Sequence, residues 1–174
     1  MRVPIKKLTM MALLTAVALI VFVIESQIPM PVPIPGVKLG LANTVTLFAL
    51  FYSGGRERGI KSLTVVNVFM ILVCRIILGA LLTGRIVALI YSFSGGLLSF
   101  AVQAAIKQFI TNKQIWACSA VSSVFHNIGQ IIAAILLTGT PSIAAYLPIL
   151  IISGLIAGII TGFVAQFCVT RINL

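Results

Sequence analysis

Ser119, Ser122, Ser123, His126, Asn127 and Gln130 stand at i, i+3, i+4, i+7, i+8 and i+11 in a stretch that is otherwise apolar apart from Gly129. That spacing is one face of a helix. The types suit hydrogen-bonding chemistry: an imidazole that both donates and accepts, two carboxamides and three hydroxyls. Only one conventional catalytic pairing is present, Ser122 or Ser123 as nucleophile with His126 one turn away as base. No acid follows to orient the imidazole, so a hydrolase is the weaker reading.

Other polar groups sit inside equally apolar runs. They are Glu25, Asn43, Asn67, Arg75 and Ser94, the last within Ser94-Gly95-Gly96. Polar side chains in hydrocarbon are costly and turn toward a bundle interior or a cavity. Asn67, Arg75 and Gly79 fall roughly on one helical face. Arg75 lies about 12 Å along the helix from the outer end of its span, too deep to snorkel, and it needs an anion. Glu25 is the only acid at that depth. Arg75 therefore pairs with Glu25 or waits for an anionic ligand. Adjacent Gly95 and Gly96 permit close approach of another backbone or a ligand. The run Pro35-Gly36-Val37-Lys38-Leu39-Gly40-Leu41-Ala42-Asn43 feeds a helix N-terminus, where free N–H groups and a positive dipole favour anions. The expected substrate site comprises Glu25, Lys38, Asn43, Arg75, Ser94, His126, Asn127 and Gln130, in a pocket near the outer face suited to an anionic or strongly polar small molecule.

The elements that position these groups are membrane helices. The chain has 174 residues, 60% of them hydrophobic, and a mean hydropathy of +1.22. It reads as one all-α transmembrane domain, 1–174, with six spans at about 8–28, 40–53, 62–82, 86–106, 115–137 and 144–168. The second is short for a bilayer of about 30 Å. With the N-terminus inside, nine Lys and Arg (Arg2, Lys6, Lys7, Arg56, Arg58, Lys61, Lys107, Lys113 and Arg171) are cytoplasmic, and only Lys38 and Arg85 are outside. This asymmetry predicts both termini in the cytoplasm. It also accounts for the net charge of +10 without a nucleic-acid partner. The apolar run near the N-terminus is too long for a cleaved signal peptide. Cys74, Cys118 and Cys168 are scattered in apolar runs and read as packing residues. No cofactor or metal is expected.

Ala12 and Ala16 in the first span, and Gly154, Gly158 and Gly162 in the sixth, form small-xxx-small faces that allow close helix contact.

The Pro35–Asn43 run, Ser94-Gly95-Gly96 and His126-Asn127 with Gly129-Gln130 together resemble the Gx transporter family, also labelled heptaprenyl diphosphate synthase component I. That family is similar to the substrate-binding S components of energy-coupling-factor (ECF) vitamin transporters. The resemblance implies six helices with both termini inside, in a bacterial plasma membrane. It implies uptake of a vitamin, flavin or quinone precursor, driven by a transmembrane coupling subunit and two ATPases. Ala12 and Ala16 match the family's coupling pattern. The chain carries no nucleotide-binding loop, so ATP hydrolysis would fall to those partners. The synthase label conflicts with the residues. A prenyl diphosphate synthase needs aspartates to hold Mg²⁺, and this chain has no aspartate and only Glu25 and Glu57 as acids. The expectation is a non-enzyme. The alternative is a non-catalytic membrane accessory of an isoprenoid or flavin/quinone electron-transfer system.

Overall fold

The computed structural model describes residues 5–28, 40–52, 63–84 and 86–172. Among them there are helices and no strands. Six α-helices follow in order: α1 Ile5–Glu25, α2 Asn43–Phe51, α3 Val65–Thr83, α4 Ile86–Ile106, α5 Ile115–Thr138 and α6 Leu147–Ile172. Five are long and apolar enough to cross a membrane. Their outward surface is apolar, with Leu81, Ile86 and Leu136 largely exposed. Water would not tolerate such a surface, whereas lipid would. The chain is an all-helical, multi-pass membrane protein.

α2 departs from the expected second span. It has nine residues, about 13 Å of helix, against about 30 Å of hydrocarbon. Seven of the nine are buried, because α2 packs among α1, α3, α4 and α6. It is an internal element wrapped by longer helices. Buried apolar residues around it, including Leu47, Leu50, Ile71, Leu72 and Ile115, form the larger core cluster. A smaller one joins Tyr91, Ile131, Ala134 and Leu150.

Local signals set the boundaries. Thr64 caps α3 by accepting from the Asn67 backbone N–H, and the Asn67 side chain returns to the Thr64 backbone N–H. Asn67 is therefore a capping residue at the first turn. Its side-chain amide also reaches the Met11 sulfur on α1, the helix that Gly79 faces. α3 and α5 end on Gly84 and Gly139, both left-handed at φ 63° and 65°.

Close packing relies on glycine. On α6, a Cβ at Gly158 would lie 2.8 Å from the Cα of Ala120, and one at Gly162 2.6 Å from the Cα of Trp116. The glycine face read in the sixth span thus seats α6 on α5. α4 and α5 interlock in the same way. A Cβ at Gly129 would lie 2.8 Å from the Ser94 carbonyl oxygen, and one at Gly95 2.7 Å from that of His126. On α3, Gly79 makes room for the Phe22 ring of α1.

Candidate functional site

Four helices bring their polar groups together beside the N-terminus of α2. Arg75 Nη2 on α3 donates to Asn43 Oδ1 on α2 at 2.8 Å. The Asn43 amide nitrogen meets His126 Nδ1 on α5 at 2.9 Å. The other ring nitrogen, Nε2, is 2.9 Å from the side-chain amide of Gln130, one turn along α5. All four residues are buried, at 7% exposure or less.

Donor and acceptor types fix the protons in this chain. A guanidinium only donates, so Asn43 must turn its oxygen to Arg75 and its NH₂ to His126. The NH₂ group only donates, so Nδ1 must accept. The imidazole is then neutral with its proton on Nε2. Nε2–H then faces Gln130, whose amide nitrogen is the atom turned toward the ring; to accept this proton the amide must present its oxygen instead.

Glu25, at the end of α1, accepts from the backbone N–H of Gly40 at 2.5 Å and of Ala42 at 3.4 Å. These are among the free amides that open α2, where a carboxylate is favoured by the dipole. Its charge also lies within electrostatic reach of Arg75. The alternatives left open by the sequence were a Glu25–Arg75 pair or a waiting Arg75. Arg75 bonds the neutral Asn43 and feels the Glu25 charge, while Glu25 also holds the start of α2. Gly40 sits between them with φ 82°, and a Cβ there would lie 2.7 Å from His126 Cδ2.

The opposite end of α2 has a counterpart that the sequence reading missed. Lys107 Nζ, just past α4, donates to the Leu50 carbonyl at 2.6 Å and lies 6.0 Å from the centre of the Phe51 ring. Burial lowers the pKa of this ammonium from the ordinary lysine value. A carboxylate at the N-terminus and an ammonium at the C-terminus both complement the α2 dipole. The only sequence signal was a basic residue one position past an apolar span.

Other expected site residues go elsewhere. Asn127 Nδ2 donates to the Leu150 carbonyl of α6 at 2.5 Å. Ser94 Oγ donates back to the Tyr91 carbonyl on its own helix, and it is the Ser94 backbone that packs on α5. Lys38 lies outside the described residues. Ser122 and Ser123 both donate to the Ser119 carbonyl, and Ser122 also accepts from Gln103 at 3.2 Å. His126 meanwhile spends both ring nitrogens on Asn43 and Gln130. Among the described residues, five buried polar atoms have no hydrogen-bond partner: Arg75 Nε, Thr44 Oγ1, Thr46 Oγ1, Gln103 Oε1 and Asn127 Oδ1. A native interior seldom leaves such atoms unpaired, so they mark places for water or ligand. Ala12 and Ala16 are exposed in a groove of about 390 Å³ between α1 and α3, with Met11, Thr15, Met70 and Cys74.

The family model for heptaprenyl diphosphate synthase component I matches residues 14–168. The chain belongs to that family. The match takes in every member of the buried network, from Glu25 to Gln130. It includes Ala16 and leaves Ala12 outside. No curated protein and no solved structure matches the chain.

Proposed function

We propose that this chain is a non-catalytic, membrane-embedded binding subunit that takes up a small polar or anionic molecule of the vitamin, flavin or quinone-precursor class. The observation that carries the reading is the buried Arg75–Asn43–His126–Gln130 chain, whose cation still has an unpaired donor at Nε. Desolvating an arginine is expensive, and packing alone does not call for it. A ligand acceptor that takes Nε would offset that cost.

In this reading α2 counts as a short, internal sixth span, both termini are cytoplasmic, and the membrane is a bacterial plasma membrane. Energy comes from an ECF-type coupling subunit and its ATPases, which dock on the exposed Ala12 and Ala16 of α1. The similarity to ECF S components noted above supports this arrangement. The serine–histidine alternative is disfavoured, because His126 and both serines are bonded to other groups.

A second reading has its own support. The family name speaks of a synthase component, and the network bonds largely to itself. A membrane accessory subunit of an isoprenoid or flavin/quinone system would have both features.

A thermal-shift titration of the purified chain with flavins, vitamins, naphthoates and prenyl diphosphates separates the two. A ligand bound only by the folded state raises its stability by mass action. A saturable shift that disappears in Arg75→Ala supports the binding subunit. No shift with any compound, from folded protein, defeats it in favour of the accessory.

A further inference from the structure

The buried network has a charge balance of its own. Arg75 is a cation at neutral pH. Glu25 accepts a backbone N–H on each carboxylate oxygen, from Gly40 on Oε1 and from Ala42 on Oε2, which is the pattern of the ionised group. His126 is neutral, because its Nδ1 accepts from the Asn43 amide. Asn43 and Gln130 bear no charge. One positive and one negative charge sum to zero, and a single turn of chain joins them. Glu25 bonds Gly40 and Ala42, and Arg75 bonds Asn43.

The other cations among the described residues lie elsewhere. Lys6 and Lys7 begin α1, at the opposite end from Glu25. Lys107 holds the far end of α2. Lys113 precedes α5, and Arg171 stands in the last turn of α6. The imidazole is also held in place. A Cβ at Gly40 would lie 2.7 Å from its Cδ2, and one at Gly95 2.8 Å from its Nδ1. It therefore stays on Asn43 in the neutral form.

Glu25, Asn43, Arg75, His126 and Gln130 are at most 7% exposed, so a ligand that reaches them leaves water behind. An anion would give this balanced interior an uncompensated negative charge, which a low dielectric penalises heavily. A neutral ligand keeps the balance. Arg75 Nε, the unpaired donor, asks only for an acceptor, and a carbonyl oxygen or ring nitrogen supplies one without a charge.

Resting on the binding-subunit reading, we propose that the ligand is uncharged at pH 7 and presents a carbonyl oxygen or ring nitrogen to Arg75 Nε. The site then selects carboxamides and neutral ring ketones over carboxylates and phosphate esters. Glu25 sets that specificity: besides holding α2, it balances Arg75 and so excludes anions.

The test uses the full chain in detergent at pH 7 and three pairs of probes that differ in charge. They are nicotinamide and nicotinate, 2-naphthamide and 2-naphthoate, and riboflavin and riboflavin 5′-phosphate. Titration calorimetry gives each affinity. Where a pair binds, its neutral member should be at least about tenfold tighter. Glu25→Gln leaves the site net positive and should shift that ratio at least about tenfold toward the anion. Repeating the titrations of the unaltered chain in buffers of different ionisation enthalpy counts protons. The neutral member should bind without proton exchange, and any anion that binds should carry about one proton in with it.

An anionic member that binds tighter than its neutral partner, or binds without taking up a proton, overturns the uncharged ligand and leaves the binding subunit standing. A neutral preference undiminished in folded Glu25→Gln overturns it as well, because charge balance is then not the cause. If that variant does not fold, the affinity ratio and the proton count decide. Binding by none of the six probes removes the binding subunit, and this inference with it.

Discussion

Arg75 Nη2 donates to Asn43 Oδ1 across 2.8 Å, and this one bond orients everything beyond it. It fixes the face of the Asn43 amide, which fixes the acceptor on His126, which fixes the tautomer of the only histidine in the chain. A cation on α3 thereby sets a proton position on α5 through one residue of α2.

That tautomer is directly observable. Nitrogen NMR of the chain labelled at histidine gives a single imidazole, expected neutral with Nε2 protonated. Asn43→Asp keeps an acceptor for Arg75 and removes the donor to Nδ1, so the proton should move onto Nδ1. An Nδ1-protonated ring in the unaltered protein would sink the assigned chain.

Arg75→Ala removes the positive charge and strands the Asn43 oxygen. Leaving one buried acceptor unpaired costs about 1–3 kcal/mol of stability. If Arg75 serves the ligand, binding should fall by more than the yield of folded protein does. His126→Ala should behave in the same way. Parallel losses of binding and folded protein would assign both residues to structure.

Gly40 is constrained twice, by φ 82° and by the His126 ring that a Cβ would strike. Gly84, at φ 63°, has nothing within 4 Å of an added Cβ. Gly84→Ala should cost only backbone strain, about 1–2 kcal/mol. Gly40→Ala should cost more, because overpacking adds typically about 1–3 kcal/mol. Equal melting temperatures for the two variants would mean that the ring yields freely.

Lys107 carries a pH signature. Its pKa is lowered in the folded protein, so between that value and the ordinary one of about 10.4 the unfolded chain holds more protons. Stability then rises with pH across that alkaline window. The melting temperature of the unaltered protein, taken relative to Lys107→Met, should climb there. A falling difference would show that the bond to the Leu50 carbonyl outweighs desolvation.

Ala12→Leu fills the groove between α1 and α3 without touching the network. Ligand affinity should persist while uptake in cells is lost. Uptake at the normal rate would remove the coupling role from this face.

The amino-acid sequence by itself determined that long apolar helices cross a membrane and that certain polar groups lie within them. Both follow from composition and period, since hydrocarbon accepts only apolar, internally bonded segments. The boundaries at Ile86–Ile106 and near Ile115–Thr138 were legible for the same reason. The polar stripe of the fifth span was also legible as a face, but its division was not. His126 and Gln130 serve the network, while Asn127 reaches α6. A helical period gives a direction to within a neighbour's width, and two neighbours share this face. Which one each residue meets was decided by how closely Gly154, Gly158 and Gly162 let α6 approach α5 and Gly95 and Gly129 let α4 approach it. The burial of α2 and the two charges at its ends were likewise tertiary outcomes. Glu25 and Lys107 are 82 positions apart in the chain. Only folding, by placing opposite ends of one nine-residue helix dipole beside them, gives them a common task.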